Sequence, residues 1–236
     1  MMLRQIKEDI DVALEKDPAA RNALEVFILY PGVHALIAYR FNHWLWGIGL
    51  KFIARSFSQF ARWVTGIEIH PAAIIGKRFF IDHGMGVVIG ETSEVGDNVF
   101  VYQGVTLGGL ATKKGKRHPT ISDDVVIGAG AKVLGPIKIG CNTKIGSGSV
   151  VLQDVPEYST VIGVPGRVVF SGISSEMEDE DGPESFPDPV ARAIECMLDR
   201  LPEMEKEIRH LKEILKENGI CDSSPIEETT RKKIIG

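Results

Sequence analysis

Residues 121–151 read ISDDVVIGAGAKVLGPIKIGCNTKIGSGSVV, with an aliphatic residue at every sixth position: Ile121, Ile127, Val133, Ile139, Ile145 and Val151. Glycine directly follows Ile127, Ile139 and Ile145. No α-helix repeats every six residues, and a simple sheet has no reason to put small residues after every third inward position. A parallel β-helix does both. Each six-residue unit is one short strand plus a corner, the aliphatic side chain points into the coil, and glycine takes the tight or positive-φ corner.

The lattice extends upstream. Ile69, Ile75, Ile81 and Val87 keep the same spacing, and after a two-residue phase shift Ile89, Val95, Val101 and Leu107 resume it. Of the 25 glycines in the 236 residues, 18 fall between Gly66 and Gly166, without the every-third-residue placement that collagen needs. The sequence therefore predicts a β-helix domain over residues 66–170. The interruption GGLATKKGKRHPT, residues 108–120, is expected to leave the coil as an extruded loop. A long loop in so regular a structure is a functional candidate.

Residues 1–65 carry helical periodicity. Asp17-Pro18 reads as a helix-start signal, and Pro31-Gly32 as a break. Apolar stretches follow from about His34 to Trp46 and from Leu50 to Val64, with faces too generous for a domain standing alone. Beyond the repeat, residues 171–189 form an acidic linker and 190–218 an amphipathic helix. Ile194, Met197, Leu201, Met204, Ile208, Leu211 and Leu215 follow a three-four spacing that suits a coiled coil or one helix folded back on the β-helix. Residues 219–236 read as a flexible tail. The expected fold class is α+β: an N-terminal helical domain, a β-helix and a C-terminal helix.

Charge and cysteine usage exclude several functions. A net charge of −5 gives no basic field for nucleic acid or an anionic membrane. Cys141, Cys196 and Cys221 are odd in number and widely spaced, so neither a disulfide framework nor a zinc motif is expected. The N-terminus is charged where a signal peptide is apolar, and the apolar uncharged run from Val26 to Tyr39 is too short to span a bilayer. A cytoplasmic protein is the simplest expectation.

His83 has the makings of a general base. It lies two residues past an inward aliphatic, so it should face outward near a corner, and Gly84 and Gly86 leave room for a ligand. Neutral imidazole is suited to taking a proton from an alcohol. Glu68, fifteen residues earlier, is expected on the adjacent coil as its orienting carboxylate. Arg117 can pair bidentately with a carboxylate, and Asp17 or Asp82 can bind an ammonium.

The repeat resembles the hexapeptide-repeat acyltransferases, which implies a left-handed coil of three hexads per triangular turn. Carbonic anhydrases of the γ class share that fold and bind metal through a His-x4-His pair plus a third histidine. His70, His83 and His118 contain no such pair, so no metal is expected. The likeness narrows at Lys16-Asp17-Pro18-Ala19, Tyr30-Pro31-Gly32-Val33-His34, Glu68-Ile69-His70-Pro71, Asp82-His83-Gly84, Val105-Thr106-Leu107-Gly108-Gly109, Lys116-Arg117-His118-Pro119 and Gly163-Val164-Pro165-Gly166. Across about residues 8–170 these motifs are similar to the serine O-acetyltransferases.

The resemblance implies transfer of acetyl from acetyl-CoA to the hydroxyl of L-serine, directly within a ternary complex, as the first step of cysteine biosynthesis. His83 is then the base and Glu68 its partner, where the family usually has Asp. Asp17, Asp82, Arg117 and His118 hold the amino acid. Gly109, Ala129, Lys144, Ser147 and Arg167 line an acetyl-CoA groove between neighbouring β-helices, and the lysines beside Arg117 suit its phosphates.

Trimer and dimer of trimers both remain open, because the family's long members carry more residues ahead of the helical domain. O-acetylserine sulfhydrylase is an implied partner that receives a C-terminal isoleucine, whereas this chain ends Ile234-Ile235-Gly236. The rival readings are an acetyltransferase for a sugar or another amino acid, and a noncatalytic β-helix scaffold.

Overall fold

The computed structural model describes residues 2–171. The acidic linker, the heptad helix and the tail expected from the sequence lie outside the described residues, apart from Ser171. Four helices come first: α1 (Met2–Lys16), α2 (Ala23–Leu29), α3 (Pro31–Gly47) and α4 (Lys51–Thr65). Pro31 opens α3, where its missing N–H has no helical partner to lose. Gly66 ends α4 at φ +73, a left-handed cap suited to glycine.

One expectation is corrected here. Asp17-Pro18 does not start a helix. The Asp17 N–H still bonds Ala13 O at 3.0 Å, ending α1. Its side chain accepts the Ala19 N–H at 2.8 Å, closing a local turn. Asn22 caps α2 instead, accepting the Glu25 N–H at 2.9 Å. With one carboxylate oxygen engaged in a turn, Asp17 is left half-buried at the end of α1.

From Glu68 the chain winds through short strands on three faces. The first face stacks β1 (Glu68–Ile69), β4 (Val88–Ile89), β7 (Thr106–Gly108), β10 (Lys132–Leu134) and β13 (Val150–Val151). The second stacks β2 (Ile74–Ile75), β5 (Glu94–Val95), β8 (Thr120–Ile121) and β11 (Lys138–Ile139). The third stacks β3 (Phe80–Ile81), β6 (Phe100–Val101), β9 (Val126–Ile127), β12 (Lys144–Ile145), β14 (Ser159–Ile162) and β15 (Arg167–Ser171). Every pairing is parallel except β14 with β15, an antiparallel hairpin at the end of the stack.

The aliphatic lattice fills the coil, with Ile89, Ile121, Ile127, Ile139 and Ile145 all buried. A second inward residue stands two positions before each, as Val99, Val125 and Ala131 do. Val87 belongs to this second set, paired in its hexad with Ile89. The phase shift therefore precedes Val87 rather than following it. Glu68 pairs with Val88, twenty residues on, whereas Val88 pairs with Thr106, eighteen on. The two extra residues sit in the Asp82–Gly86 corner. The larger insertion appears in the Glu94–Thr120 pairing, twenty-six residues apart.

The three corners differ. Between the second and third faces the left-handed position is held by Arg78, Asn98, Asp124, Asn142 and Tyr158, φ +53 to +61. We call this the asparagine corner. Between the third and first faces it is held by Gly86, Gly104, Gly130 and Gly148, φ +69 to +79, which makes the glycine corner. The loop corner, between the first and second faces, carries the 108–120 insertion.

Helix α3 clamps the helical layer to the first coil. Arg40 is buried, pairs with Asp9 of α1 at 3.0 Å and donates to the carbonyls of Ile75 and Gly76 at 3.4 and 3.1 Å. Tyr39 donates to Ala73 O at 2.7 Å, and Leu36 joins the coil interior. A Cβ at Gly32 would overlap Ile81 O, so only glycine lets α3 approach so closely. Helix α4 turns Ala54 and Ser58 inward and leaves Phe52 (85%) and Trp63 (81%) exposed. Asp9→Ala leaves the Arg40 charge buried and unpaired, and should cost about 3–5 kcal/mol in denaturant unfolding. The double variant Asp9→Leu/Arg40→Met should recover most of that loss.

Candidate active site

The strand β3 ends at Ile81, and the Asp82 N–H bonds Val101 O at 2.9 Å before the chain turns out at the glycine corner. His83 takes φ +56, followed by Gly84 at +83 and Gly86 at +79. A left-handed conformation is unusual for histidine and strains the backbone locally. It projects the ring from the corner, 75% exposed. Gly84 is required in turn, because a Cβ there would meet Ile67 Cδ1 at 2.5 Å.

Asp82 lies beneath the ring, its Oδ1 4.0 Å from His83 Nε2. Burial holds its carboxyl above the usual range, the His83 ring draws it back down, and Asp17 adds to the rise. Asp17 thus shares this spot, brought there by α1, whose Val12 and Ala13 pack with Phe80 and Phe100 of the coil. Tyr30, at the junction of α2 and α3, donates its hydroxyl to Asp17 Oδ2 at 2.5 Å. Burial and that hydrogen bond push the Tyr30 phenol up to about 12. The sequence reading missed Tyr30, since a tyrosine beside Pro31-Gly32 looks like part of a helix boundary.

Glu68 stands on β1 with its carboxylate 3.3 Å from Arg62 of α4. The carboxylate contact of His83 among the described residues is the one to Asp82. The expected Glu68–His83 pair is therefore not formed in this arrangement, where Arg62 holds the glutamate.

Arg117 and His118 lie at the loop corner. Thr92 Oγ1 accepts both of their backbone N–H groups, at 3.0 and 3.1 Å. The Thr92 N–H donates to His118 Nδ1 at 3.2 Å. An acceptor Nδ1 leaves the ring proton on Nε2. Burial, then the Arg117 charge, shifts the imidazole pKa below its ordinary range. A Cβ at Gly90 would overlap the His118 ring, so Gly90 is its seat. Arg117 Nη2 pairs with Glu91 Oε2 at 2.6 Å, which holds the Glu91 carboxyl below its usual range. Gly90, Glu91 and Thr92 also went unread in the sequence, because their role depends on stacking below the inserted loop.

The histidine and arginine halves of the expected amino-acid site thus occupy different corners, separated by the first face. At ~3.3 Å per residue an edge of six residues spans roughly 15–20 Å, too far for one serine to bridge. The expected acetyl-CoA residues divide the same way. Ala129 and Ser147 stack on the glycine corner, where Gly148 N–H donates to Ala129 O at 2.8 Å. Lys144 lies on β12 and Arg167 opens β15 on the third face. Gly109 lies at the loop corner, where a Cβ would touch Arg117 Cγ at 3.1 Å. His70 shares the loop corner with His118, burial lowering its pKa to about 4. Among the described residues no cluster of three His, Cys, Asp or Glu side chains could hold a metal ion. None of their single helices is long and apolar enough to cross a membrane, though the bent pair α2 and α3 meets that test by length and composition.

Residues 118–153 match the bacterial transferase hexapeptide family (six repeats). The chain is 56% identical over 216 residues to a serine acetyltransferase of Bacillus licheniformis, covering 92% of this chain and 96% of that protein. It is 54% identical over 213 residues to the serine acetyltransferase of Bacillus subtilis, covering 90% and 98%. Among solved structures, Neisseria gonorrhoeae serine acetyltransferase in complex with serine superposes with a TM-score of 0.70 at 42% identity, covering 72% of this chain and 69% of that one. A serine acetyltransferase complex with cysteine gives 0.71 at 41%, covering 72% and 70%.

The raised Asp82 carboxyl implies a stability effect. The native state keeps that proton at pH values where the unfolded chain, near 3.8, has lost it. Stability is therefore lost as pH rises from about that value through the raised native one. Asp82→Asn should melt at a higher temperature than wild type at neutral pH, and the gap should close on acidification to pH 3.8, measured by thermal unfolding.

Proposed function

The chain belongs to the serine acetyltransferases, left-handed β-helix enzymes, and from that premise we propose that two copies of it jointly build each site. There the acetyl group of acetyl-CoA passes to the hydroxyl of L-serine, giving O-acetyl-L-serine and free CoA. The observation that carries this reading is the matching division of both residue sets. Asp17, Asp82, His83, Ala129 and Ser147 belong to the glycine corner, and Arg117, His118 and Gly109 to the loop corner. With the first face of each copy turned to a threefold axis, the glycine corner of one copy meets the loop corner of the next.

The chemistry follows from the side chains. His83 takes the hydroxyl proton as the serine oxygen attacks the thioester carbonyl. Backbone N–H groups beside the groove stabilise the oxyanion. As the tetrahedral adduct collapses, the C–S bond breaks and His83 returns the proton to the departing thiolate. No acetyl-enzyme forms. Asp17 and Asp82 receive the α-ammonium. Arg117 exchanges Glu91 for the substrate carboxylate, and the His118 Nε2–H is a second donor to it. A sugar offers neither charge. Glu68, paired with Arg62 here, serves as orienting carboxylate when it turns to His83.

The bare corner supports the acetyl-CoA groove. An added Cβ at Gly130 or Gly148 would meet nothing within 4 Å, and the asparagine corner fills the same conformation with Asn98, Asp124 and Asn142. The chain's own packing does not require glycine there, whereas a pantetheine arm running along the backbone does. Lys113 and Lys114, on the inserted loop, suit its phosphates. The exposed aromatic face of α3 and α4, with Trp44 and Trp63, supports pairing of two trimers.

His83→Ala should lower serine-dependent thiol release from acetyl-CoA by about 10²–10⁴-fold. Mixing His83→Ala with Arg117→Ala subunits before assembly should restore activity at about a quarter of the sites. No recovery on mixing sinks the shared site, and no serine-dependent release by wild type sinks the activity. Gly130→Asn should fold normally, since asparagine tolerates this φ, yet raise the KM for acetyl-CoA about tenfold or more.

A further inference from the structure

We propose that Tyr30 is a positioning residue for the substrate ammonium, its hydroxyl holding the Asp17 carboxylate opposite Asp82. This rests on the serine site proposed above and adds a residue that neither the motifs nor the fold assigned to it.

The backbone of Tyr30 is fixed from both sides. Its N–H ends α2 on Val26 O at 3.2 Å, and its carbonyl accepts the His34 N–H at 3.2 Å as α3 begins. Its ring packs on the satellite core of Val12, Val26, Val33, Phe80 and Phe100. A tyrosine seated so firmly delivers its hydroxyl with little rotational freedom left to lose.

Asp17 needs that support. It stands on the turn after α1, where only its Oδ1 is held by the chain locally, through the Ala19 N–H. Tyr30 takes the other oxygen. With one donor on each oxygen the carboxylate plane cannot swing away, and the remaining lone pairs are free for a cation. Holding two carboxylates together is unfavourable without that cation, as the upward pressure of Asp17 on Asp82 records. Left to itself, Asp17 would relieve the repulsion by rotating into solvent. The phenol, held near 12, stays protonated and donates across the whole working pH range. An arriving ammonium then meets a preformed pair, and the repulsion stored in it becomes attraction.

Tyr30→Phe keeps the ring in its packing and removes only the hydroxyl. In steady-state thiol release, the variant should raise the KM for serine about tenfold, the loss of one hydrogen bond to a charged group. kcat should stay within about twofold, as should the KM for acetyl-CoA, since the hydroxyl touches neither the base nor the thioester. In an Asp17→Asn background, Tyr30→Phe should change the serine KM by less than about twofold, because its partner's charge is gone. A purely structural tyrosine would instead lower kcat or melting temperature and act independently of Asp17. An unchanged serine KM, or full multiplicative effects in the double variant, overturns the proposal while leaving the serine reaction of the wild type standing. Wild-type enzyme inactive with serine overturns both.

Discussion

The buried pair of Arg40 and Asp9 holds this molecule together at the point where its two halves meet. Arg40 reaches out of α3 to the carbonyls of Ile75 and Gly76, at the end of the second strand, while Asp9 on α1 balances its charge. A guanidinium with five donors is well matched to such a junction, because it can satisfy a carboxylate and backbone oxygens together. The pair ties α1, α3 and the first coil into one unit. Asp17 ends α1 two turns beyond Asp9, so its position beside the glycine corner is inherited from that tie. Burial also raises the Asp9 carboxyl against the pull of Arg40, a sign that desolvation is a real charge on the pair.

The β-helix supplies the other constraint. Each turn must present its inward residues in stack, which leaves only the corners free to vary. Three corners meet the same demand for a left-handed or tight turn with different chemistry. Polar ladders close the asparagine corner, where Asn98 donates to Asp124 at 2.6 Å. The glycine corner keeps glycine at its left-handed position on every turn and bulges out with His83 and Met85 on the first, and the loop corner is built up by Thr92 and Glu91 beneath Arg117 and His118. His83 and the Arg117–His118 pair are consequently placed on opposite edges of one face.

Much of this was legible in the sequence. The six-residue lattice announced the coil, and the 108–120 interruption announced the loop, because both are patterns of hydrophobic spacing. Placing Val87 was harder. Two inward sites exist per hexad, and either one continues a six-residue count, so the phase shift could be assigned to either side of it. The corner of each residue was open to counting, since His83 follows the third strand and Arg117 the seventh, but only after the insertions were placed. Tyr30 and Thr92 stayed hidden for a different reason: both act through contacts between segments far apart in sequence, which periodicity does not record. Glu68 was visible as a carboxylate on the neighbouring coil, whereas its engagement with Arg62 depends on how α4 lies against β1.

The two insertions leave the ladder undisturbed: Glu68 still faces Val88 and Glu94 still faces Thr120 in step with their neighbours. An added residue inside a strand would turn every later side chain of that strand from interior to exterior. At a corner the extra length simply bulges away from the axis. Such a molecule behaves like a spool on which loops of any size can be left slack at chosen edges without unwinding the thread. New chemistry can then be acquired by lengthening the chain rather than by exchanging core residues, and His83 and Arg117 both sit where the winding was let out.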